Sequence, residues 1–441
     1  MGLALAHRLV LNGHQVHVVE RERQPGGLAT WHDFGGFYWD RFYHVILPTD
    51  LQLIQFVKDI GLGDKLRWRQ TQTGFYVDET FYSMNDTLDF IKFPPLSLWS
   101  KFRLGLTILY CARIDDWRRL EKILVEDWLI RVSGRATYEK MWKPLLLAKL
   151  GENYKRVSAV FIWSYIKRLF SARDSSAQKE QMGHVSGGYK AVFESLLECI
   201  EEQGGAIHTG SSVERITADK NAGIWVERDG QREHFDKLVF TSPVNVLRDV
   251  CAPGLVRIEN DKRDVEYLGV ICMVLITRQP IVPYYVVNIA DPRIPFTGVI
   301  GMSTVVDPSE TAGRHVTYFP KYLLSTDPML RAGENELSEA FMQGARLMFP
   351  DYDWSAVESI HINRAFKVQP LQVLEYSSLV PRCVTEHPDF FVLNTSQFVN
   401  NTLNNNEVIR SVNEFWDQHG DWLTEPVEQH DFLAEVKSAS A

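Results

Sequence analysis

The N-terminal stretch combines a glycine at the start of a predicted helix with an acidic residue at the end of the next strand. Small and apolar residues recur at helical spacing from Gly2, and Gly13 stands where the helix would stop. Val16 to Val19 predict a short β-strand that ends at Glu20. Free N–H groups at a helix N-terminus bind pyrophosphate, and an acid after the next strand accepts hydrogen bonds from a ribose 2′-hydroxyl. The pair predicts a site for an adenine dinucleotide with free ribose hydroxyls.

A glycine pair downstream strengthens this interpretation. Gly26 and Gly27 follow Glu20 by about six residues, and glycines allow backbone to approach a ligand closely. The dinucleotide fingerprint also has a strand and a GxGxx turn before its third glycine, which is the place that Gly2 would hold. We therefore expect that a strand and turn of roughly ten residues are absent before Gly2. The alternative is an ordinary αβ unit with a Gly-Gly turn.

A longer pattern continues to His44. It reads E-x5-GG-L-A from Glu20, passes through Gly35 and Gly36, and ends in Asp40 and His44. This run resembles the FAD-binding start of the protoporphyrinogen oxidase, phytoene desaturase and flavin amine oxidase superfamily. The resemblance implies non-covalent FAD bound by the positions Gly2, Glu20, Arg21, Gly26, Gly27, Leu28, Ala29 and His44.

A second match lies in residues 187–216. A Gly-Gly pair there precedes an amphipathic helix and a strand, and Gly204 and Gly205 mark the end of the helix. By resemblance, Val213 lies against the adenine through its backbone. The segment Lys237 to Pro243 resembles the strand and turn that close the nucleotide domain.

The chain departs from the superfamily pattern after residue 390. A strand is predicted at Phe390 to Leu393, but an Asn-Thr pair at Asn394 stands where a Gly-Asp pair is usual. A helix is predicted to begin near Asn404 under an asparagine cap. Asn394, Asn404 and Asn405 would offer neutral amide donors to the flavin end, or they form a polar capped loop.

His44 also has two interpretations. By resemblance it lies near the flavin edge, where a group that titrates near neutral pH moves a proton. The alternative is a histidine held by a hydrogen bond to backbone. His44 is the sole catalytic candidate, and no metal site is predicted because His and Cys residues do not occur at ligand spacing.

The alternation of elements and the resemblance together predict an α/β protein. An FAD-binding Rossmann-like domain of the GR2 type would carry an inserted α+β substrate domain. The predicted FAD-binding parts are residues 1–75, 185–250 and 384–425, those of the substrate domain are 76–184 and 251–383, and 426–441 form a loose tail.

Two helical stretches allow a structural and a functional reading. Residues 126–170 resemble a helical part of protoporphyrinogen-oxidase-like proteins and of distant UDP-galactopyranose mutase relatives, but amphipathic core helices explain the same pattern. Phe102 to Cys111 is too short to span a membrane. It is either a core helix, which we expect, or part of a lipid-contacting surface.

Composition excludes several other classes. Hydrophobic residues make up 45% of the 441 residues and charged residues 23%, as is typical of a globular chain. The net charge of −9 argues against a nucleic-acid-binding protein. Five scattered cysteines predict cytoplasmic thiols, with peripheral membrane contact as an open possibility. The oligomeric state is not determined by these features.

These features predict an FAD-dependent oxidoreductase. It would oxidise a small or lipophilic, apolar organic substrate by hydride transfer to flavin N5. One alternative is a flavoenzyme that acts on a nucleotide sugar, as UDP-galactopyranose mutase does. The other is a scaffold protein that keeps the fold without the cofactor, because the start of the fingerprint is absent.

Overall fold

The fold is described from a computed structural model for residues 1–84, 94, 96–173, 180–218 and 223–424. The predicted tail at 426–441 lies outside the described residues, and so do parts of the predicted insert 76–184. The helices are α1 (Gly2–Leu11), α2 (Leu51–Asp59), α3 (Leu98–Ala112), α4 (Val125–Ser133), α5 (Arg135–Thr137), α6 (Lys143–Leu150), α7 (Ala159–Arg173), α8 (Gly188–Glu202), α9 (Val244–Val250), α10 (Glu334–Met348) and α11 (Asn405–Thr424).

The strands are short except in one sheet. They are β1 (His17–Glu20), β2 (Trp31–Asp33), β3 (Tyr38–Asp40), β4 (Leu66–Gln70), β5 (Thr73–Val77), β6 (Thr80–Ser83), β7 (Gln181–Val185), β8 (Ala206–Thr209), β9 (Val213–Ala218), β10 (Ile224–Arg228), β11 (Gln231–Phe235), β12 (Leu238–Phe240), β13 (Tyr267–Thr277), β14 (Val286–Ile289), β15 (Gly298–Gly301), β16 (His315–Leu324), β17 (Val357–Pro370) and β18 (Phe390–Val392).

The N-terminal elements form where the sequence predicts them. α1 starts at Gly2, and Gly13 adopts a φ of +82° just after its end, a conformation that glycine adopts without steric cost. β1 ends at Glu20 and pairs in parallel with β8, and β12 pairs in parallel with β18. α1 and α8 pack together through Leu5, Val10 and Leu196, which are all buried. These elements make up the α/β part of the molecule.

A seven-stranded sheet makes up the other large layer, in the order β17-β13-β16-β15-β14-β5-β6. All eleven residues of β13 are buried, so both faces of this strand are covered. Because strand side chains alternate between faces, Met273 packs with Phe341 of α10, whereas Cys272 packs with Trp39 and Phe42, which flank the end of β3. The sheet therefore lies between α10 and the segment that ends in Asp40.

Two strands cross the predicted domain boundaries. β5 runs through residue 75 and belongs to the seven-stranded sheet. β7 runs through the boundary between residues 184 and 185 and pairs with β4. The division into domains stays a prediction, with boundaries that fall inside strands at these two places.

The expected core helix at Phe102 to Cys111 is a surface helix in the structure. Leu104 and Cys111 are buried, but Phe102 is 57% exposed and Leu106 50% exposed, and both lie on the same side of α3. The prediction is wrong for this side because α3 packs on α4 and α7 with its other face, and that face includes buried polar residues such as Thr107. None of the described helices is long and apolar enough to cross a membrane.

Candidate cofactor and substrate site

The start of α1 meets the ends of two parallel strands. A Cβ on Gly2 would lie 3.1 Å from the Thr241 hydroxyl oxygen, so the helix begins directly against the residue that follows β12. Asn394, which follows β18, donates from Nδ2 to the Ser242 carbonyl at 3.0 Å. No described side chain caps the first turn of α1, and that turn contains no acid. Its N–H groups are therefore available to an anion at this edge.

Glu20 lies beside the segment that leads into Val213. The Ser211 N–H donates to the Glu20 carbonyl at 3.1 Å, two residues before β9 begins at Val213. One carboxylate oxygen of Glu20 accepts the Glu22 N–H at 2.9 Å, which leaves acceptor capacity for a ribose hydroxyl. Arg21 points away, because its exposed guanidinium pairs with Glu22 at 2.9 Å. The structure brings Glu20 and Val213 together and leaves Arg21 at the surface.

The predicted glycine pair fits tightly against α8. Gly26 has a φ of +120°, and a Cβ there would lie 2.8 Å from the Phe193 ring. Gly27 has a φ of +60° and opens a single 3-10 turn that ends at the buried Ala29. Leu28 lies half-buried within the same turn. The backbone here approaches α8 as closely as the absence of a side chain allows.

Asp40 joins this region to the seven-stranded sheet. Its carboxylate accepts the Tyr189 N–H at the start of α8, at 2.8 Å, and its carbonyl accepts the Tyr318 hydroxyl of β16, at 2.6 Å. Position 188 requires glycine, because its φ is +68° and a Cβ would lie 2.9 Å from the Asp40 carboxylate. Burial raises the pKa of Asp40 to about 7, although the Tyr189 N–H opposes that shift.

Burial disfavours the charged form of His44. Burial lowers the pKa of His44 to about 4. Its Nδ1 atom lies 3.8 Å from the Asp40 carboxylate, and its ring contacts the ring of Tyr189 with the centroids 5.2 Å apart. Burial disfavours the imidazolium, so this shift runs against a titration near neutral pH, and the catalytic role of His44 stays a prediction. Asp40, which the prediction did not include, is the group of this pair whose pKa lies near 7.

The predicted asparagines mostly hold local backbone. The Asn394 Oδ1 atom accepts the Ser396 N–H at 2.9 Å within a capping box. Asn404 caps α11, as predicted, by accepting the Glu407 N–H at 3.0 Å. Asn405 opens α11, and its amide opposes the burial that raises the pKa of Tyr189. The amide oxygens of Asn394 and Asn404 accept backbone N–H groups and cap the turns that follow them. Asn405 instead lies beside Tyr189, whose ring contacts that of His44.

A group of partly accessible side chains that the sequence did not reveal lies between the sheet and the helical insert. Tyr43, Tyr165, Tyr322 and Lys149 are each surrounded by protein, yet each keeps accessible surface. Side chains of this kind line an internal space. The hydroxyls of Tyr43 and Tyr322 share a hydrogen bond of 2.6 Å, and the Lys149 ammonium lies 3.2 Å from the centre of the Tyr322 ring. We call this space the tyrosine cleft.

Sequence signals for this cleft are weak. The cationic residues that stand out in the helical insert are exposed ion-pair partners in the structure, such as Lys143 with Glu139 and Lys155 with Glu152. Lys149 differs, because it follows the apolar run Leu145 to Ala148 near the end of α6. A single lysine within an apolar stretch is therefore the sequence feature that could have indicated the tyrosine cleft.

The nucleotide-facing groups suit a dinucleotide such as FAD. The uncapped start of α1 suits the pyrophosphate, the free carboxylate oxygen of Glu20 suits a ribose, and the open space around Gly27 suits a close backbone approach. Metal ligands differ in chemistry from this set, and the described residues contain no group of three His, Cys, Asp or Glu that could hold a metal ion.

Comparisons with known proteins agree with this geometry. Residues 2–377 match the sequence profile of the flavin-containing amine oxidoreductases. No curated protein sequence matches the chain.

Three solved structures have a similar fold. An oxidoreductase from Methanosarcina mazei is 18% identical with a TM-score of 0.71, over 94% of this chain and 97% of that one. A putrescine oxidase bound to putrescine is 15% identical with a TM-score of 0.72, over 95% and 96%. A reduced UDP-galactopyranose mutase is 15% identical with a TM-score of 0.70, over 98% and 95%. Likenesses at this identity establish the fold, an FAD-binding Rossmann-like part with a substrate-binding part.

The profile covers most of the chain, and the fold and the nucleotide-facing groups agree with it. The chain belongs to the flavin-containing amine oxidoreductase family.

Proposed function

We propose that this protein binds FAD non-covalently and oxidises a small or lipophilic organic substrate by hydride transfer to flavin N5. The observation that carries the proposal is the family match over residues 2–377, together with the uncapped start of α1 and the contact of Glu20 with the segment that leads into Val213. In this proposal the α1 N–H groups hold the pyrophosphate, and Glu20 holds the adenosine ribose. Val213 lies against the adenine, and Asn405 lies at the flavin end. FAD, when bound, supplies the hydride acceptor.

The cysteines support non-covalent binding. A thioether to a cofactor needs a reactive thiolate, which a lowered pKa favours. Burial instead raises the pKa of Cys111, Cys251 and Cys383 to about 12, and it also raises the pKa of Cys199 and Cys272. All five are thiols at neutral pH. Acid precipitation of the holoenzyme should leave the flavin in the supernatant.

The tyrosine cleft supports an organic substrate with apolar surface. Ligand pockets are mainly apolar with few polar groups. Tyr43, Tyr165 and Tyr322 present aromatic faces, and burial raises the pKa of each hydroxyl, so the walls stay uncharged. In this proposal these side chains orient the substrate and exclude water from the reacting carbon.

The test is purification of the protein with added FAD, followed by an absorbance spectrum and a reduction screen. We expect a flavin spectrum with about one FAD per chain, and steady reduction of an artificial acceptor by a substrate from an amine and apolar-alcohol panel. Absence of flavin after reconstitution overturns the proposal. Tight binding of UDP-galactose only after dithionite reduction, without net turnover of the acceptor, would instead favour a mutase reaction.

We also propose that α3 attaches the protein to an anionic membrane surface. Its exposed side chains Leu98, Trp99, Phe102, Leu106, Leu109 and Tyr110 form one apolar stripe. The stripe has a tryptophan near one end and a tyrosine at the other, and such residues favour the bilayer interface. Between residues 97 and 140, seven basic and four acidic side chains are exposed. This local excess of positive charge contrasts with the net charge of −9 for the whole chain. An apolar stripe among basic side chains suits a helix that lies in an anionic interface.

Vesicle flotation tests this surface. We expect the protein to float with vesicles that contain phosphatidylserine and less with phosphatidylcholine alone. The double variant Phe102→Ser, Leu106→Ser should abolish flotation, and Leu347→Ser should not, because Leu347 is an exposed leucine of α10. Flotation that the double variant retains overturns the proposal, and concentration-dependent dimerisation lost in that variant would assign the stripe to a second copy of the chain.

A further inference from the structure

We propose that the tyrosine cleft binds an aromatic or conjugated carboxylate whose anionic group is held by the Lys149 ammonium. This inference rests on the proposed function, because it identifies the substrate class of the same site. Four distant segments build the cleft: the loop after β3, α6, α7 and β16.

Lys149 has no ion-pair partner among the described residues, although neighbouring lysines of the insert do. Its ammonium lies 3.2 Å from the centre of the Tyr322 ring, and no described acidic residue forms an ion pair with it. Lys143, on the same helix, is by contrast paired with Glu139 at 3.1 Å. Burial alone lowers the pKa of Lys149, and no charge among the described groups opposes that shift. The ammonium therefore has no compensating charge among these groups.

A partly buried ammonium without an ion-pair partner favours an anion. Removing a cation from water is unfavourable, and a cation–π contact offsets only part of that cost. A ligand carboxylate would supply the missing ion pair with charge-assisted hydrogen bonds. The hydroxyl-linked rings of Tyr43 and Tyr322, with Tyr165 nearby, offer faces for stacking on the organic part of that ligand. The cleft thus matches an anionic head on an aromatic body.

The protonation of Lys149 gives this site a pH dependence. Burial lowers the pKa of Lys149 to about 7, so the ammonium form, which attracts a carboxylate, predominates below that pH. The facing groups are Tyr43, Tyr165 and Tyr322, whose pKa values burial raises. They do not titrate in this range. Asp40, whose pKa is also about 7, contacts Tyr318 instead. Carboxylate binding should therefore weaken as the pH rises from 6 to 9.

The test compares two probes that differ in charge alone. The FAD-loaded protein is titrated with 2-naphthoate and with the neutral 2-naphthamide at pH 6 and pH 9, with binding followed by calorimetry. The variants are Lys149→Met and Lys149→Arg, and the matched control is Lys140→Met, an exposed lysine in the turn before α6. Flavin absorbance is recorded for every sample, so a failure to bind FAD, which overturns the proposed function, is seen separately.

We expect naphthoate to bind at least 10-fold more tightly than naphthamide at pH 6, with that preference lost at pH 9. Lys149→Met should lose at least 10-fold in naphthoate affinity, and Lys140→Met should be unchanged. Lys149→Arg should retain binding and lose the pH dependence, which would persist if Asp40 were its source. Equal affinities for the two probes, no binding of either, or undiminished binding in Lys149→Met would each overturn the inference. The probe comparison stands on the unmodified protein even if a variant fails to fold.

Discussion

Around Gly2, Glu20 and Gly26 the proposed nucleotide site is built mainly from backbone, and its first elements come from one short stretch of chain. The tyrosine cleft is instead made by side chains, with Tyr43 and Tyr322 separated by 279 residues yet joined by one hydrogen bond. In the first region, residue type matters because glycine has no side chain and therefore permits close packing and positive φ angles. In the second, it matters because of which groups are present. A site that is formed by backbone therefore leaves a recognisable spacing of residues in the sequence. A site that is formed by side chains from distant segments does not.

The largest effect should come from filling the backbone site at Gly26. In Gly26→Ala the new Cβ would meet the Phe193 ring at 2.8 Å, and φ is +120°. Strain and overpacking together should lower the free energy of unfolding by about 2–5 kcal/mol, with loss of bound flavin. Thermal unfolding and flavin content measure this. Gly35→Ala is the control, with a φ of +84° and open space around it. Equal losses in both variants would contradict a role for close packing.

Asp40 lies at the seam between the two regions, so its titration tests their coupling. Its pKa is raised from 3.8 to about 7 by burial, so its contribution to stability is present below pH 4 and lost as the pH rises through 7. His44 has the opposite sign, since its pKa falls from 6.5 to about 4, and its contribution is lost as the pH falls through that range.

Asp40→Asn isolates the first contribution. The unfolding free energy of the variant, relative to the unmodified protein, should rise between pH 4 and pH 8 by up to about 4 kcal/mol. Denaturant unfolding at several pH values measures it. Asp33→Asn, an exposed acid of β2, should show no such trend. A difference that is constant across pH would mean that Asp40 is not held in the protonated form.

In the proposed nucleotide site, Glu20 is the side chain that would hold the ribose. Glu20→Ala should weaken FAD binding by about 10- to 100-fold, because a hydrogen bond to a charged group contributes about 1.5–3 kcal/mol. Fluorescence titration of the apoprotein with FAD measures the change. Glu22→Ala removes a carboxylate that is 65% exposed and should change the affinity less than 3-fold. If both variants bind FAD alike, the ribose contact is not made by Glu20.

The smallest effect should come from the hydroxyl pair of the cleft. Tyr43→Phe removes the partner of the Tyr322 hydroxyl, which should cost about 1 kcal/mol of stability and raise KM for the substrate several-fold. Flavin content should stay unchanged, in contrast to the Gly26 and Glu20 variants. Tyr38→Phe, at a half-exposed position, is the control. A loss of flavin in Tyr43→Phe would show that the two regions are not separable.

Prediction from sequence succeeded where local patterns carry the structure. The start of α1 at Gly2, the end of β1 at Glu20, and the asparagine cap at Asn404 follow from helical spacing, strand composition and capping chemistry. It failed for α3, because Phe102 and Leu106 have the same periodicity whether that face is covered or exposed. The lowered pKa of His44 also lies beyond a sequence pattern, because desolvation depends on what packs around the ring.

The sequence by itself predicted the family and the first helix and strand of the proposed nucleotide site, since these patterns depend on residues close together in the chain. Only the tertiary structure decided that the Lys149 ammonium lies over the Tyr322 ring without an ion-pair partner among the described residues, and that Asp40 bonds to both α8 and β16. Burial and pairing of charges are properties of segments brought together from distant parts of the chain, and a pattern of neighbours along the chain does not contain them.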